Sequence, residues 1–128
     1  MNVLDENIVR EEREHLQSWN VHFRLIGDDL GRLGMKDRNE IIPLSHNLRL
    51  PTFFPRDRDF YRPDLRHAGY CLVFLDVAHD EAAQYISRFL RLASFRSRTQ
   101  RMGKVVRVRR GGVSYWQVGS EKQSATSW

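Results

Sequence analysis

The stretch that decides the fold is GYCLVFLDV, residues 69–77, an apolar run that begins at a glycine and ends next to an aspartate. Its apolar residues follow one another without the polar alternation of a half-exposed strand. Such a run is typical of a central strand that is buried on both faces of a parallel sheet. Cys71 is the only cysteine, which excludes an intramolecular disulfide. We therefore interpret Cys71 as a small buried hydrophobe in a reducing compartment.

Strand candidates lie on both sides of this run. In chain order they are the first residues up to Asp5, residues 21–27, residues 49–54 and an alternating hairpin pattern over residues 104–118. The hairpin is indicated by the pair Gly111-Gly112 between two alternating segments.

Helical patterns separate these strands. Residues 7–18 carry a loose apolar stripe, and residues 37–40 (D-R-N-E) have the form of a capping box, with Pro43 inside the helix that would follow. Asp80 is predicted to be the N-cap of the clearest helix. The apolar stripe of that helix consists of Ala82, Tyr85, Ile86, Phe89, Leu90 and Ala93.

Alternation of strands and helices predicts an α/β fold with a mostly parallel central sheet, helices on both faces and a C-terminal β-hairpin. We expect one domain over residues 1–118 and a polar, flexible tail over residues 119–128. No apolar run reaches the roughly 18 residues of a membrane span, and no secretory signal is recognisable. We therefore expect a cytoplasmic protein with no membrane partner.

Charge is distributed unevenly along the chain, whose formal net charge is +5. Residues 1–81 contain 15 acids and 11 bases, a net charge of −4, whereas residues 82–120 contain nine bases and no acid. A basic segment without acids is expected for a protein that contacts a polyanion such as RNA. A solvated surface or a dock for an acidic protein would show the same pattern. The arginines that we expect to bind RNA are Arg88, Arg91, Arg107, Arg109 and Arg110.

Acidic residues are predicted to gather at one edge of the sheet. Ligand sites of α/β folds lie beyond the carboxyl ends of the strands, where Asp5 ends the first strand and Asp57 and Asp59 follow the third. Asp37 and Glu40 open the helix between them. Clustered carboxylates repel one another unless a cation compensates, and their oxygens suit Mg²⁺ or Mn²⁺. Helix or turn capping by Asp37, Glu40, Asp57 or Asp59 is the structural alternative.

Three ordered motifs resemble those of a small PIN-like family, akin to the PIN-domain toxins of bacterial toxin–antitoxin pairs. Residues 4–7 read L-D-E-N, the form with which that family begins. Residues 36–41 are similar to its S-D-x-E-I motif, without the serine. Residues 55–60 keep both acids and the Phe of its T-x-D-x-D-F motif, with Pro55 in place of Thr. The resemblance extends in order over about residues 1–92.

This resemblance implies a PIN-like three-layer sandwich and a metal-dependent endoribonuclease with Mg²⁺ or Mn²⁺ as cofactor, of the toxin type. The implied catalytic residues are Asp5, Asp37, Asp57 and Asp59, and the implied metal ligands are Asp5, Asp57, Asp59 and Glu40. The expected partners are RNA, an antitoxin protein and, in a homodimer, a second copy of the chain.

Two other functions are compatible with the same residues. The first is a catalytically inactive PIN-like module that binds RNA or a protein. The second is a phosphoacceptor receiver domain, which also gathers acids beyond the strand ends and needs a lysine at the end of a late strand. Lys104 is the sole candidate for that lysine.

Overall fold

The computed structural model describes residues 1–27, 29–30, 42 and 46–128. In this part of the chain, one sheet has the strand order β2-β1-β3-β4-β5-β6-β7. Its strands are β1 (Asn2–Leu4), β2 (Arg24–Leu25), β3 (Thr52–Phe54), β4 (Cys71–Leu75), β5 (Lys104–Arg109), β6 (Gly112–Gln117) and β7 (Ser124–Thr126). The helices described are α1 (Arg10–Ser18), α2 (Ala82–Arg91) and the single turn α3 (Arg98–Arg101).

Five neighbouring strands, from β2 to β5 in the sheet order, are parallel. The strands β5, β6 and β7 pair antiparallel. Every residue of β4 is buried between β3 and β5, as its unbroken apolar run predicts. The prediction of an α/β fold with a mostly parallel sheet and a C-terminal hairpin is therefore confirmed.

The helices α1 and α2 cover one face of the sheet. Leu16 of α1 and Phe89 of α2 are fully buried in the same cluster as Leu4 and Phe54 from the strands. The rings of Phe54 and Phe89 meet edge to face, with centroids 6.1 Å apart. Aromatic pairs of this geometry add to the stabilisation that burial alone provides. The apolar stripe predicted for α2 therefore faces the sheet, although Ala93 lies beyond the helix and is exposed.

The opposite face is covered, among the described residues, by two 3₁₀ turns that follow β3. These turns are Arg58–Phe60 and Pro63–Leu65. Phe60 is 3% exposed and packs against Phe53, with ring centroids 5.5 Å apart. The predicted helix that begins near Asp37 lies outside the described residues, so the prediction of helices on both faces stays open there.

The start of α2 is capped by a residue of another helix. A 3₁₀ turn, His79–Glu81, precedes α2, so the predicted N-cap position of Asp80 is wrong. Instead, the buried carboxylate of Glu12 on α1 accepts a hydrogen bond of 3.0 Å from the Ala83 N–H. The first N–H groups of a helix have no partner within the helix and favour a negative charge. Glu12 supplies that charge from 71 positions earlier in the chain, beyond the reach of a local pattern.

The C-terminal residues extend the sheet. The sequence predicts a polar, flexible tail for residues 119–128, but the structure contains β7 there, paired with β6. Gly112 has a φ of +150°, and a Cβ at this position would lie 2.5 Å from the Thr126 carbonyl oxygen. The close approach of β7 therefore requires glycine at position 112. Trp128 then packs beside Tyr85 of α2, with ring centroids 5.6 Å apart.

Other predicted elements differ mainly in length. The strand predicted for residues 21–27 shortens to two residues, and the one predicted for residues 49–54 shortens to three. Within the described ranges, no helix has both the length and the apolar character needed to cross a membrane.

We expect the Glu12→Ala variant to lower the free energy of unfolding by about 1–2 kcal/mol, the usual cost of losing a helix cap. The matched control is Glu11→Ala, because Glu11 neighbours Glu12 on α1 and is exposed. Urea denaturation of both variants measures the difference. Equal stability of the two variants would contradict capping by Glu12.

A second prediction concerns Cys71. Burial raises the pKa of its thiol to about 12, from an ordinary value of 9.0. Since folding disfavours the thiolate, the stability that the neutral thiol contributes is complete below pH 9.0 and is lost as the pH rises toward 12. The difference in unfolding free energy between wild type and Cys71→Ala should therefore shrink by up to about 1.4 kcal/mol per pH unit above pH 9.0. Urea titrations across this range test it, and a constant difference would count against the prediction.

Candidate active site

The carboxyl edge of the parallel strands carries a row of alternating charges. Asp5 follows β1, Arg56 follows β3, Asp76 follows β4, and Arg107 lies near the end of β5. Because these four strands are neighbours in this order, the row alternates acid, base, acid, base across the sheet. Each charge therefore has an opposite charge on the next strand. We call this set of four residues the charged row.

Asp5 is buried, with 7% of its surface exposed, and three donors orient its carboxylate. Its Oδ1 accepts from the Asn7 N–H at 3.2 Å and from Asn7 Nδ2 at 3.3 Å. Its Oδ2 accepts from the Arg56 N–H at 3.0 Å. A carboxylate oxygen has two acceptor positions, so the described donors leave one on Oδ2. Carboxylates that bind metals are commonly oriented by such hydrogen bonds.

Asp57 and Asp59 lie in the segment that leaves β3. Asp57 is extended, with φ −95° and ψ 128°, and its Oδ1 accepts a hydrogen bond of 2.9 Å from the Asp59 N–H. Asp57 thus caps the 3₁₀ turn Arg58–Phe60, which is the structural role that the sequence left open. Both carboxylates are exposed to solvent. The buried ring of Phe60 fixes the segment to the sheet from its other end.

The structure brings the motif of residues 4–7 next to the motif of residues 55–60. The third motif, residues 36–41, lies outside the described residues. The Arg56 N–H joins the L-D-E-N motif to the segment of Asp57 and Asp59. Asp37 and Glu40 lie outside the described residues and stay predictions. Over the described ranges, no three His, Cys, Asp or Glu side chains are close enough to hold a metal ion together. A ligand set of three or more at this edge would thus require a further residue.

Asp76 is the acidic residue of this edge that the sequence patterns did not single out. Arg107 Nε donates to Asp76 Oδ2 at 2.9 Å, and Arg107 Nη2 contacts the same oxygen. A repeated signal was present: Leu-Asp ends both β1 (Leu4-Asp5) and β4 (Leu75-Asp76). Apolar strands that both end in Leu-Asp indicate two acids at one edge of a parallel sheet.

Arg56 connects the two aspartates of the charged row. Its Nη1 donates to the Leu75 carbonyl oxygen at 3.2 Å, which ties the exit of β3 to the end of β4. Burial lowers the pKa of Arg56, whereas the negative charges of Asp5 and Asp76 act in the opposite direction. The guanidinium therefore stays positive between two acids, and the row is electrostatically balanced at this point.

The five arginines predicted to bind RNA do not form one surface. Arg107 is paired with Asp76, and Arg110 is paired with Glu81 through contacts of 3.0 Å. Arg88 lies over the Trp128 ring at 4.6 Å, near the middle of α2. Arg91 ends α2, which runs back from the carboxyl edge, whereas Arg109 is at that edge. Of the five, the exposed Arg91 and Arg109 lack a described carboxylate or aromatic partner.

No protein-family model, curated protein or solved structure matches the chain. The chain is an α/β protein whose mostly parallel sheet carries acids at its carboxyl edge.

We expect Asp5→Asn to destabilise the protein even without a metal, by about 1–3 kcal/mol. An asparagine cannot accept hydrogen bonds on both sides of its amide, so either the Arg56 N–H or the Asn7 donors lose a buried partner. Asp57→Asn should change stability by less than about 0.5 kcal/mol, because its exposed Oδ1 can still accept from Asp59. Thermal and urea unfolding in the presence of a chelator compare the two variants. Equal losses would contradict the structural role of Asp5.

Proposed function

We propose that this protein is a PIN-like endoribonuclease that depends on Mg²⁺ or Mn²⁺. The observation that supports this proposal is the hydrogen bond of 3.0 Å from the Arg56 N–H to Asp5 Oδ2. Asp5 and Arg56 are 51 positions apart, and their hydrogen bond joins the L-D-E-N motif to the P-R-D-R-D-F motif of residues 55–60 at the carboxyl edge of the sheet. Ligand sites of α/β folds lie at this edge, and the family resemblance requires these two motifs to meet.

The donor set at this edge fits a hard cation. Its oxygens come from the oriented carboxylate of Asp5 and from the exposed carboxylates of Asp57 and Asp59, and hard divalent ions prefer such ligands. These three side chains are not close enough to one another to hold an ion together, so we propose that the metal is bound by some of them, with Glu40 or Asp37 completing the set. When bound, the cation would lower the pKa of a water molecule and stabilise the oxyanions of phosphodiester hydrolysis.

The remaining residues of this edge would position the RNA. Arg58 is exposed, lies 5.9 Å from the Phe74 ring centroid, and has no carboxylate partner among the residues described. Arg109 is exposed at the end of β5. Both arginines are available to a backbone phosphate, whereas Arg107 is held by Asp76. On the resemblance alone, we extend the proposal to a toxin with an antitoxin partner.

A non-catalytic PIN-like module is the second candidate function. Two of the proposed ligands already have structural roles, since Asp5 joins two strand ends and Asp57 caps a turn. Pro55 also stands where the resembling family has a threonine hydroxyl. Such a module would bind RNA or a protein partner without cleaving RNA.

The proposal predicts RNA cleavage that requires Mn²⁺ or Mg²⁺ and stops when a chelator is added. Asp57→Asn should lower the cleavage rate by at least about 100-fold, because it weakens the metal site while leaving the fold intact. The matched control is Asp64→Asn, an exposed aspartate whose carboxylate is paired with Arg62. Mn²⁺ should also raise the melting temperature of the wild type and of Asp64→Asn more than that of Asp57→Asn.

The possible results separate the two functions. Cleavage that persists in chelator, or that Asp57→Asn leaves unchanged, would overturn the metal-dependent mechanism. RNA binding with no cleavage and no melting shift in Mn²⁺ would instead identify the non-catalytic module.

A further inference from the structure

The opposite edge of the sheet carries a basic cleft. Two cavities, of about 490 and 440 Å³, lie near the amino ends of β1 and β3 and meet at Arg98, which lines both. Arg24 and Arg101 line the first cavity, and Arg49 lines the second. We call the two cavities together, with these four arginines, the amino-edge cleft.

The cleft contains positive charge that acids of the described chain do not neutralise. Its described lining includes no Asp or Glu. No carboxylate in the described ranges forms an ion pair with any of its four arginines. At the carboxyl edge, by contrast, Arg107 and Arg110 have acidic partners. The excess positive charge of residues 82–120 is thus least compensated at the amino edge, where Arg98 and Arg101 lie.

Arg101 is a fixed, buried donor at the base of the cleft, with 4% of its surface exposed. Its Nε donates to Thr52 Oγ1 and its Nη1 donates to the Phe95 carbonyl oxygen, each at 2.9 Å. Nη1 also donates to the Arg96 carbonyl oxygen at 3.3 Å, and all three acceptors are neutral. Burial lowers the pKa of Arg101, Cys71 acts in the opposite direction, and the nearby positive charge of Arg98 lowers the pKa. A buried guanidinium that has no carboxylate partner among residues 1–27, 29–30, 42 and 46–128 is energetically costly, and an anion beside Arg98 would reduce that cost.

We propose that the amino-edge cleft binds the phosphate backbone of single-stranded RNA. This inference extends the proposed function, from which it takes RNA as the ligand, but it concerns binding and needs no metal. Two cavities that share the lining residue Arg98 suit consecutive phosphates of a chain better than one free phosphate.

The cleft is separate from the candidate active site. Asn2, which lines the cleft, is three residues before Asp5, and a strand advances about 3.3 Å per residue, which separates the two edges by roughly 10 Å. An RNA strand held at the amino edge would therefore be anchored away from the carboxylates of Asp5, Asp57 and Asp59. Binding and cleavage can thus be tested separately.

The test is fluorescence anisotropy of labelled oligouridine, in chelator so that no cleavage occurs. The variant is Arg24→Ser/Arg98→Ser, because both side chains are exposed and their loss leaves the core intact. The control is Arg10→Ser/Arg62→Ser, which also removes two positive charges. Its two arginines lie outside the cleft and pair with Glu14 and Asp64. We expect the cleft variant to bind RNA about tenfold more weakly at low salt. The slope of log affinity against log salt concentration should also decrease by the equivalent of about two phosphate contacts. The control should have an affinity and a slope near those of wild type.

Each alternative result is decisive. Equal weakening in the cleft and control variants would show that net charge alone attracts RNA and would overturn the proposal. Displacement of oligouridine by inorganic phosphate at a similar phosphate concentration would show that the cleft takes a free anion instead of a strand. The assay measures binding in chelator, so a failure of the nuclease proposal leaves this test intact.

Discussion

The hydrogen bond between the Arg56 N–H and the buried carboxylate of Asp5 connects the features on which the site depends. It closes the carboxyl edge between β1 and β3, and it fixes where the segment of Asp57 and Asp59 leaves the sheet. The Arg56 side chain then reaches Leu75 at the end of β4. A buried carboxylate is stable only when donors surround it, so the same three donors that stabilise Asp5 also determine its orientation. The side chain of Asp5 therefore has both a structural role and a role in the proposed chemistry.

Charge pairing divides the molecule into two unlike edges. At the carboxyl edge, the charged row alternates in sign, and Arg107 and Arg110 are neutralised by Asp76 and Glu81. At the amino edge, Arg98 and Arg101 have no acidic partner in the described chain. Nucleic-acid backbones are attracted by positive charge that no acid neutralises. The arginines without acidic partners therefore indicate a binding surface better than the total number of arginines does. The basic segment is a feature of the sequence, but its members that pair with acids, Arg107 and Arg110, are poor candidates for RNA contacts.

Much of the fold could be predicted because its signals are local. The apolar run of residues 69–77, the stripe on α2 and the Gly111-Gly112 hairpin each show their structure within a few neighbouring residues. The predictions that differ depend on distant contacts. Asp80 resembles a helix cap, but Glu12 supplies the charge to α2 from another helix. Residues 119–128 are polar enough to form a tail, yet Gly112 lets β7 approach β6 closely enough to pair.

The sequence by itself determined the class of fold, the central strand and the position of Asp5 at a strand end, because periodicity and chain order are properties of neighbouring residues. It also suggested Asp57 and Asp59, without showing that Asp57 caps its own turn. Only the tertiary structure decided which charges are paired, which arginines remain uncompensated and that Asp76 joins the charged row. Ion pairs form between side chains that folding brings together from distant positions, and their energies depend on burial, which no local pattern specifies.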